Sequence, residues 1–249
     1  EKLSESLGQP VVVDNRPGGG GTIAIDTVAK AKPDGYTILA VSSSHTLNPS
    51  FGKKLPYDPI KDFAPVTMMA LSPYVLTVHP SVAANSVKEL IALAKSRPGQ
   101  LNFGSPGIGT AGHLAGELFK AMAGIDLVHI PYKGGPPGLT ALLSGEVAML
   151  FYPVFLVQPH HKTGRLRALA AIESRRSSAM PELPTIAEAR LPGYEVTQWY
   201  GVLAPAGTPR EIVTRLNTEI SKIVKLPEVK ERLLGQVEGL VRITQGPEN

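Results

Sequence analysis

Two kinds of apolar run alternate along this chain. Short compact runs bounded by Gly and Pro read as strands, and longer stretches with apolar positions three and four apart read as helices. The predicted strands are Pro10–Asp14 (PVVVD), Tyr36–Val41, Val66–Leu71, Tyr74–Val78, Leu101–Phe103, Leu127–Ile130, Val147–Phe151 and Leu166–Ala171. Tyr194–Leu203 reads as a long extended run. Glu1–Leu7 looks like the tail of a helix closed by Gly8 in the C′ position. Further helices are predicted over Thr22–Lys30, from the capping-box pattern Ser86–Glu89 through Leu90, Leu93 and Ala94, and from Thr110 to Gly124. Short helices are expected at Leu139–Leu143 and Pro184–Ala189. The longest opens at Pro209, runs to Lys225, and carries the stripe Ile212, Leu216, Ile220, Val224; Pro227–Leu234 is a second helical piece, and 235–249 is weakly patterned.

The arrangement strand, glycine-rich loop, helix occurs three times. It argues an α/β fold with a mostly parallel sheet, and room for two sheets. The loops are 15–21, 104–109 and 133–137. No period of 20–50 residues emerges, which excludes a solenoid.

The clearest unit is Leu101–Tyr132. Its strand feeds the loop Gly104–Gly109, and a helix opens near Thr110 with Leu114, Leu118, Phe119 and Met122 at helical spacing. Little side-chain bulk lets backbone N–H groups approach a ligand, and the helix end adds unpaired donors and a positive dipole end. Ser105 and Thr110 can add hydroxyls. The loop reads either as an anion site without Lys or Arg, or as a tight turn that binds nothing. Gly107, Gly109 and Gly112 also spell the dinucleotide pattern G-x-G-x-x-G. That pattern requires an acid at the end of the second strand, where this chain has Pro131-Tyr132-Lys133; Asp126 precedes the strand. Lys133 leaves an NADP-linked enzyme as the alternative reading. Ser42–Thr46, a polar run at the carboxyl end of a strand, forms a second candidate binding edge, with an ordinary Ser/Thr turn as the alternative.

With 249 residues, 43% hydrophobic and 18% charged, the chain can build a substantial core. Its net charge of +4 comes from scattered basic residues without interleaved aromatics, which argues against a nucleic-acid partner. The absence of cysteine excludes disulfides and thiolate metal sites. No apolar run approaches the ~20 residues that span a bilayer, so the chain is not expected to be membrane-spanning. His113 and Glu117 share a helix face as a conceivable metal pair, but no third ligand follows, and no metal or cofactor is expected. Ser43 and His45 lack an orienting carboxylate, and no G-x-S-x-G, H-E-x-x-H or Walker loop occurs. Hydroxyls, glycine backbone and helix N-termini suit holding an anion better than transforming it, so no enzymatic activity is expected.

Several motifs in fixed order resemble the Bug family, the solute-binding proteins of tripartite tricarboxylate transporters in Gram-negative bacteria. They are Val13–Gly18 (VDNRPG), Pro33–Tyr36 (PDGY), Leu55–Asp58 (LPYD), Leu101–Ser105 (LNFGS), His113–Glu117 (HLAGE), Pro131–Gly134 (PYKG) and Leu203–Thr208 (LAPAGT). The resemblance implies a periplasmic protein with a periplasmic-binding-protein-like α/β fold. Two α/β lobes joined by extended crossover strands would close on a small organic acid and deliver it to membrane transporter subunits; a sensor role on the same fold is a further alternative. Lobe one would comprise 1–100 and 204–249, lobe two 101–203, with crossovers near Leu101–Phe103 and Val196–Leu203. The implied ligand-binding residues are Gly104, Ser105, Gly107, Gly109 and Thr110 from lobe two, and Ser43, Ser44 and His45 from lobe one. Relative to the family, the first strand and loop and a C-terminal strand and helix are missing, so lobe one is expected to be incomplete. Where many members place an aspartate that binds an amino group, this chain has Tyr152, so no amino-acid ligand is expected.

Overall fold

The computed structural model describes residues 1–52 and 54–229. The chain divides into two compact units. Within the described residues, one holds 1–71 and 199–229, the other 72–198.

The first unit contains helices α1 (Lys2–Leu7), α2 (Thr22–Ala29) and the single turn α3 (Ser44–Leu47), strands β1 (Leu39–Ser42), β2 (Phe63–Ser72) and β8 (Gln198–Pro205), and helix α9 (Arg210–Ile223). Its three-stranded sheet has the order β1-β8-β2, with β1 antiparallel to β8 and Leu39 opposite Leu203. One apolar cluster joins Ile25, Val28, Leu39, Val41, Tyr57 and Phe63. Another joins Val66, Val202 and Ala204 to Leu216, Ile220 and Val224, so three of the four residues in the predicted α9 stripe are core. Gly8 is left-handed (φ 67°) and ends α1 as expected. The run Pro10–Asp14 is not a strand: Val12 and Val13 are 85% and 79% exposed. A β-branched run supplies propensity, but a strand needs a hydrogen-bonding neighbour, and the described residues offer it none. Most of the helical piece expected at 227–234 lies outside the described residues.

The second unit contains β3 (Tyr74–Val78), α4 (Val87–Ser96), β4 (Asn102–Ser105), α5 (Ala111–Ala123), β5 (Val128–Pro131), α6 (Gly135–Ser144), β6 (Met149–Pro153), α7 (Val154–Lys162), β7 (Arg167–Ala171) and α8 (Ile186–Ala189). Five strands form one mixed sheet in the order β5-β4-β6-β3-β7. β4 is parallel to both β5 and β6, whereas β3 is antiparallel to β6 and β7. Alternation along β6 sorts the two faces: Met149 and Phe151 join the cluster under α4 and α5, while Leu150 and Tyr152 join the one under α6 and α7. Residues 72–100 thus fold with this unit, whereas the resemblance implies a lobe one that includes all of 1–100. Tyr74–Val78 is fully buried between β6 and β7, and a central strand cannot belong to a different core from its hydrogen-bonded neighbours. The chain leaves the first unit along β2 and returns along β8.

Candidate functional site

Because β4, β5 and β6 are parallel, their carboxyl ends lie on one edge of the sheet. Each is followed by a helix whose N-terminus starts at that edge: α5, α6 and α7. Partial positive charge from three helix ends therefore collects there. Two of these ends are partly occupied. Val154 N–H donates to Pro73 O (2.9 Å), and Pro136 and Pro137 give α6 no N–H at those positions. At α5, Thr110 is an extended N-cap (φ −84°, ψ 162°) whose hydroxyl accepts from His113 N–H. Among the described residues, the N–H groups of Ile108, Ala111 and Gly112 carry no hydrogen bond.

The loop leading to α5 is cross-braced. Ser105, fully buried, accepts from Gly107 N–H (3.1 Å) and lies 2.7 Å from His129 Nε2 on β5. Thr110 Oγ1 donates to Gly107 O (2.7 Å), and Gly109 N–H donates to His113 Nδ1 (3.3 Å). Gly107 has φ 138°, which only glycine adopts at little cost. A Cβ on Gly112 would meet Phe151 O at 2.9 Å, so that glycine lets α5 approach the end of β6. A Cβ on Gly104 would meet Leu150 Cδ2 at 2.7 Å. Gly104, Ser105, Gly107, Gly109 and Thr110 are thus brought together, but as the frame of the loop, their polar groups largely bonded to one another. The donors without a hydrogen bond belong to Ile108, Ala111 and Gly112, of which sequence reasoning named only Gly112, and that for the dinucleotide pattern. The available signal was positional, since the first N–H groups after a capping Thr have no intrahelical partner.

The His113 and His129 ring centroids lie 4.2 Å apart with their planes tilted by 31°, and Phe103 stacks on His129 at 4.7 Å. Burial, reinforced by His113 and Lys120, pulls the His129 pKa down to about 4, so the ring is neutral at pH 7. Lys120 pairs with Glu117 (3.2 Å), so the conceivable His113–Glu117 metal pair is engaged elsewhere. Among the described residues, no three His, Cys, Asp or Glu side chains are grouped to hold a metal ion, and no helix is long and apolar enough to cross a membrane. Tyr152 is 4% exposed, and its phenol oxygen lies over Gly135 at the start of α6.

In the first unit, Ser43, Ser44 and His45 sit together at the carboxyl end of β1, all buried. Ser43 N–H donates to Trp199 O (3.1 Å), and Ser42 Oγ donates to Ser44 Oγ (3.1 Å). His45 Nε2–H donates to Pro59 O (2.7 Å), and its ring stacks on Tyr57 and meets Phe63 edge-on. Burial lowers its pKa and keeps it neutral. The second glycine-rich stretch, Gly18–Gly21, is tied to the same turn by Asn48 Nδ2, which donates to Gly20 O (3.3 Å). An open depression of about 550 Å3 is lined by Tyr57, Asp58, Pro59 and Asp62. Its two carboxylates bond turn N–H groups and would repel an organic anion.

In a chain of two α/β units, parallel strands thus deliver three helix N-termini to one sheet edge. The same architecture is found in a solved protein from R. palustris, Rpa4515 with adipate (TM-score 0.87, 39% identity, 94% of this chain and 79% of that one). It recurs in MatC from Rhodopseudomonas palustris with bound malate (TM-score 0.90, 30% identity, 97% and 82%). The profile described as tripartite tricarboxylate transporter family receptor matches residues 1–242, and the chain belongs to that family. Protein BugT of Bordetella pertussis is 40% identical over 94% of this chain and 72% of its own length, in agreement with the Bug resemblance read from the sequence.

Proposed function

We propose that this chain is a periplasmic receptor that captures a small organic carboxylate and hands it to the membrane subunits of a tripartite tricarboxylate-type transporter. The observation that carries this reading is the start of α5. Among the described residues the amides of Ile108, Ala111 and Gly112 carry no hydrogen bond, so a carboxylate is held there by backbone dipoles and no opposite charge must be desolvated with it. Relatives holding adipate and malate support it. Binding is not accompanied by chemistry: His129, neutral at pH 7, meets Ser105 Oγ through Nε2, and His113 Nδ1 accepts from Gly109 N–H, so both imidazoles are engaged by the loop. Tyr152 offers a phenol where an amino group would need a carboxylate, so ligands without an ammonium group are expected.

The test is a thermal-shift and calorimetric panel of adipate, malate, citrate, succinate, nicotinate, benzoate, aspartate, glutamate and NADPH. A ligand at ~100 times its Kd stabilises by about 2.7 kcal/mol, or roughly 5–10 °C in Tm for a chain of this size. A shift with an acid and none with NADPH is expected. Tight aspartate or glutamate binding would refute the exclusion of amino acids. A shift with NADPH alone would return Gly107–Gly112 to a dinucleotide role.

A further inference from the structure

Ser105 Oγ has three neighbours and one proton. They are His129 Nε2 at 2.7 Å, Gly107 N at 3.1 Å and Gly107 O at 3.2 Å. Gly107 O already accepts from Thr110 Oγ1 (2.7 Å) and Thr110 N–H (3.3 Å), which fills its two lone pairs. The Ser105 proton therefore goes to the shorter contact, His129 Nε2, and a Ser105 lone pair remains for Gly107 N–H. This makes His129 the Nδ1–H tautomer.

The consequence reaches the binding edge through peptide geometry. Gly107 is held at its N–H by Ser105 and at its carbonyl by Thr110. A trans peptide places N–H opposite C=O, so a Gly107 carbonyl fixed toward Thr110 turns the Ile108 N–H the other way, out of the loop. A glycine at φ 138° has many alternatives nearby, and the brace removes them before a ligand arrives, which lowers the ordering cost of binding.

We propose that His129 is a positioning residue for carboxylate capture: its imidazole accepts the Ser105 hydroxyl, Ser105 in turn holds Gly107 N–H, and with Thr110 on the Gly107 carbonyl this fixes the Gly107–Ile108 peptide with its amide toward the ligand. This rests on the reading that the α5 loop holds the carboxylate. The elements packed on β5 are β4 and α5. β4 brings the uncharged Phe103 and Ser105 against the His129 ring; α5 brings His113 and the Lys120–Glu117 pair. His113 and Lys120 both oppose a proton on the His129 ring, and so preserve Nε2 as an acceptor.

The experiment compares wild type with Ser105→Ala, His129→Leu, His129→Gln and the Ser105→Ala/His129→Leu double variant. Gly107 amide exchange is followed by NMR without ligand, and Kd is measured with adipate and malate as probes. A net hydrogen bond contributes about 1 kcal/mol, roughly a fivefold effect. His129→Leu is expected to speed Gly107 exchange and raise Kd about fivefold, Ser105→Ala to do the same, and the double variant to add nothing further. His129→Gln, whose amide oxygen can accept from Ser105, restores both to within about twofold. Wild-type Gly107 exchange in His129→Leu, effects that multiply in the double variant, or no rescue by Gln would each overturn the proposal. If wild type binds neither probe nor any acid of the panel, the receptor reading fails, while the exchange data still judge the brace.

Discussion

Gly116 packs against the ring of Phe103: a Cβ at Gly116 would fall inside the ring's van der Waals envelope. Phe103 is fully buried on β4 and stacks on His129, so it cannot yield without disturbing the binding edge. Gly116→Ala is therefore expected to destabilise the second unit by about 2 kcal/mol, as overpacking a filled core does. The loss should appear in urea unfolding as a lower midpoint at unchanged slope.

Ala111 stands at the first position of α5, where proline is tolerated because its missing N–H would have no intrahelical partner. Thr110 before it has the extended conformation that a following proline requires. Ala111→Pro should leave Tm within a few degrees of wild type and weaken carboxylate binding about tenfold, the effect of losing one charge-assisted hydrogen bond. Calorimetry with adipate measures it; unchanged affinity would remove the α5 terminus from the site.

His45 donates to Pro59 O from within an aromatic cage of Tyr57 and Phe63. His45→Leu leaves that carbonyl unsatisfied and should cost about 2 kcal/mol of stability. Ligand affinity at a temperature well below the new Tm should change less than threefold, because the loss is one of support rather than contact.

Two half-buried groups give stability opposite slopes in pH. Burial, with Glu195 adding repulsion, raises Glu173 from an ordinary 4.5 to about 7. The folded state then binds this proton more tightly than the unfolded one, so stability is lost as pH rises from about 4.5 to 7. His129 runs the other way: its pKa falls from 6.5 to about 4, so stability is lost as pH falls across that window. Glu173→Gln should raise stability at pH 7.5 relative to wild type and leave it unchanged at pH 4, as read by chemical denaturation at both values.

Local chemistry alone placed the framework of the binding edge. Thr110 as cap, Gly124 as terminator and the apolar spacing of Leu114–Met122 are written in adjacent residues, and α5 forms from Ala111 to Ala123 with Gly124 left-handed. The glycine at Gly107 and the order of strand, loop and helix were equally legible, because turn geometry depends on a few neighbours. The family was legible from motif order. Partners distant in sequence were not. Pro10–Asp14 has every residue of a strand and none of its hydrogen bonds. Tyr74–Val78 reads like its neighbour Val66–Leu71 but is the centre of a different sheet, since strand propensity is silent about which strand lies alongside. Tyr152 and His45 are polar residues in promising positions whose side chains turn inward, to Gly135 and to Pro59 O. His129, 24 residues from Ser105 and outside every motif of the loop, became visible only when the parallel register set Phe103 opposite His129. The sequence by itself determined where the backbone could open an anion site; the tertiary structure decided which atoms remain free to use it, because a hydrogen-bonding group is spent or available according to neighbours that only folding supplies.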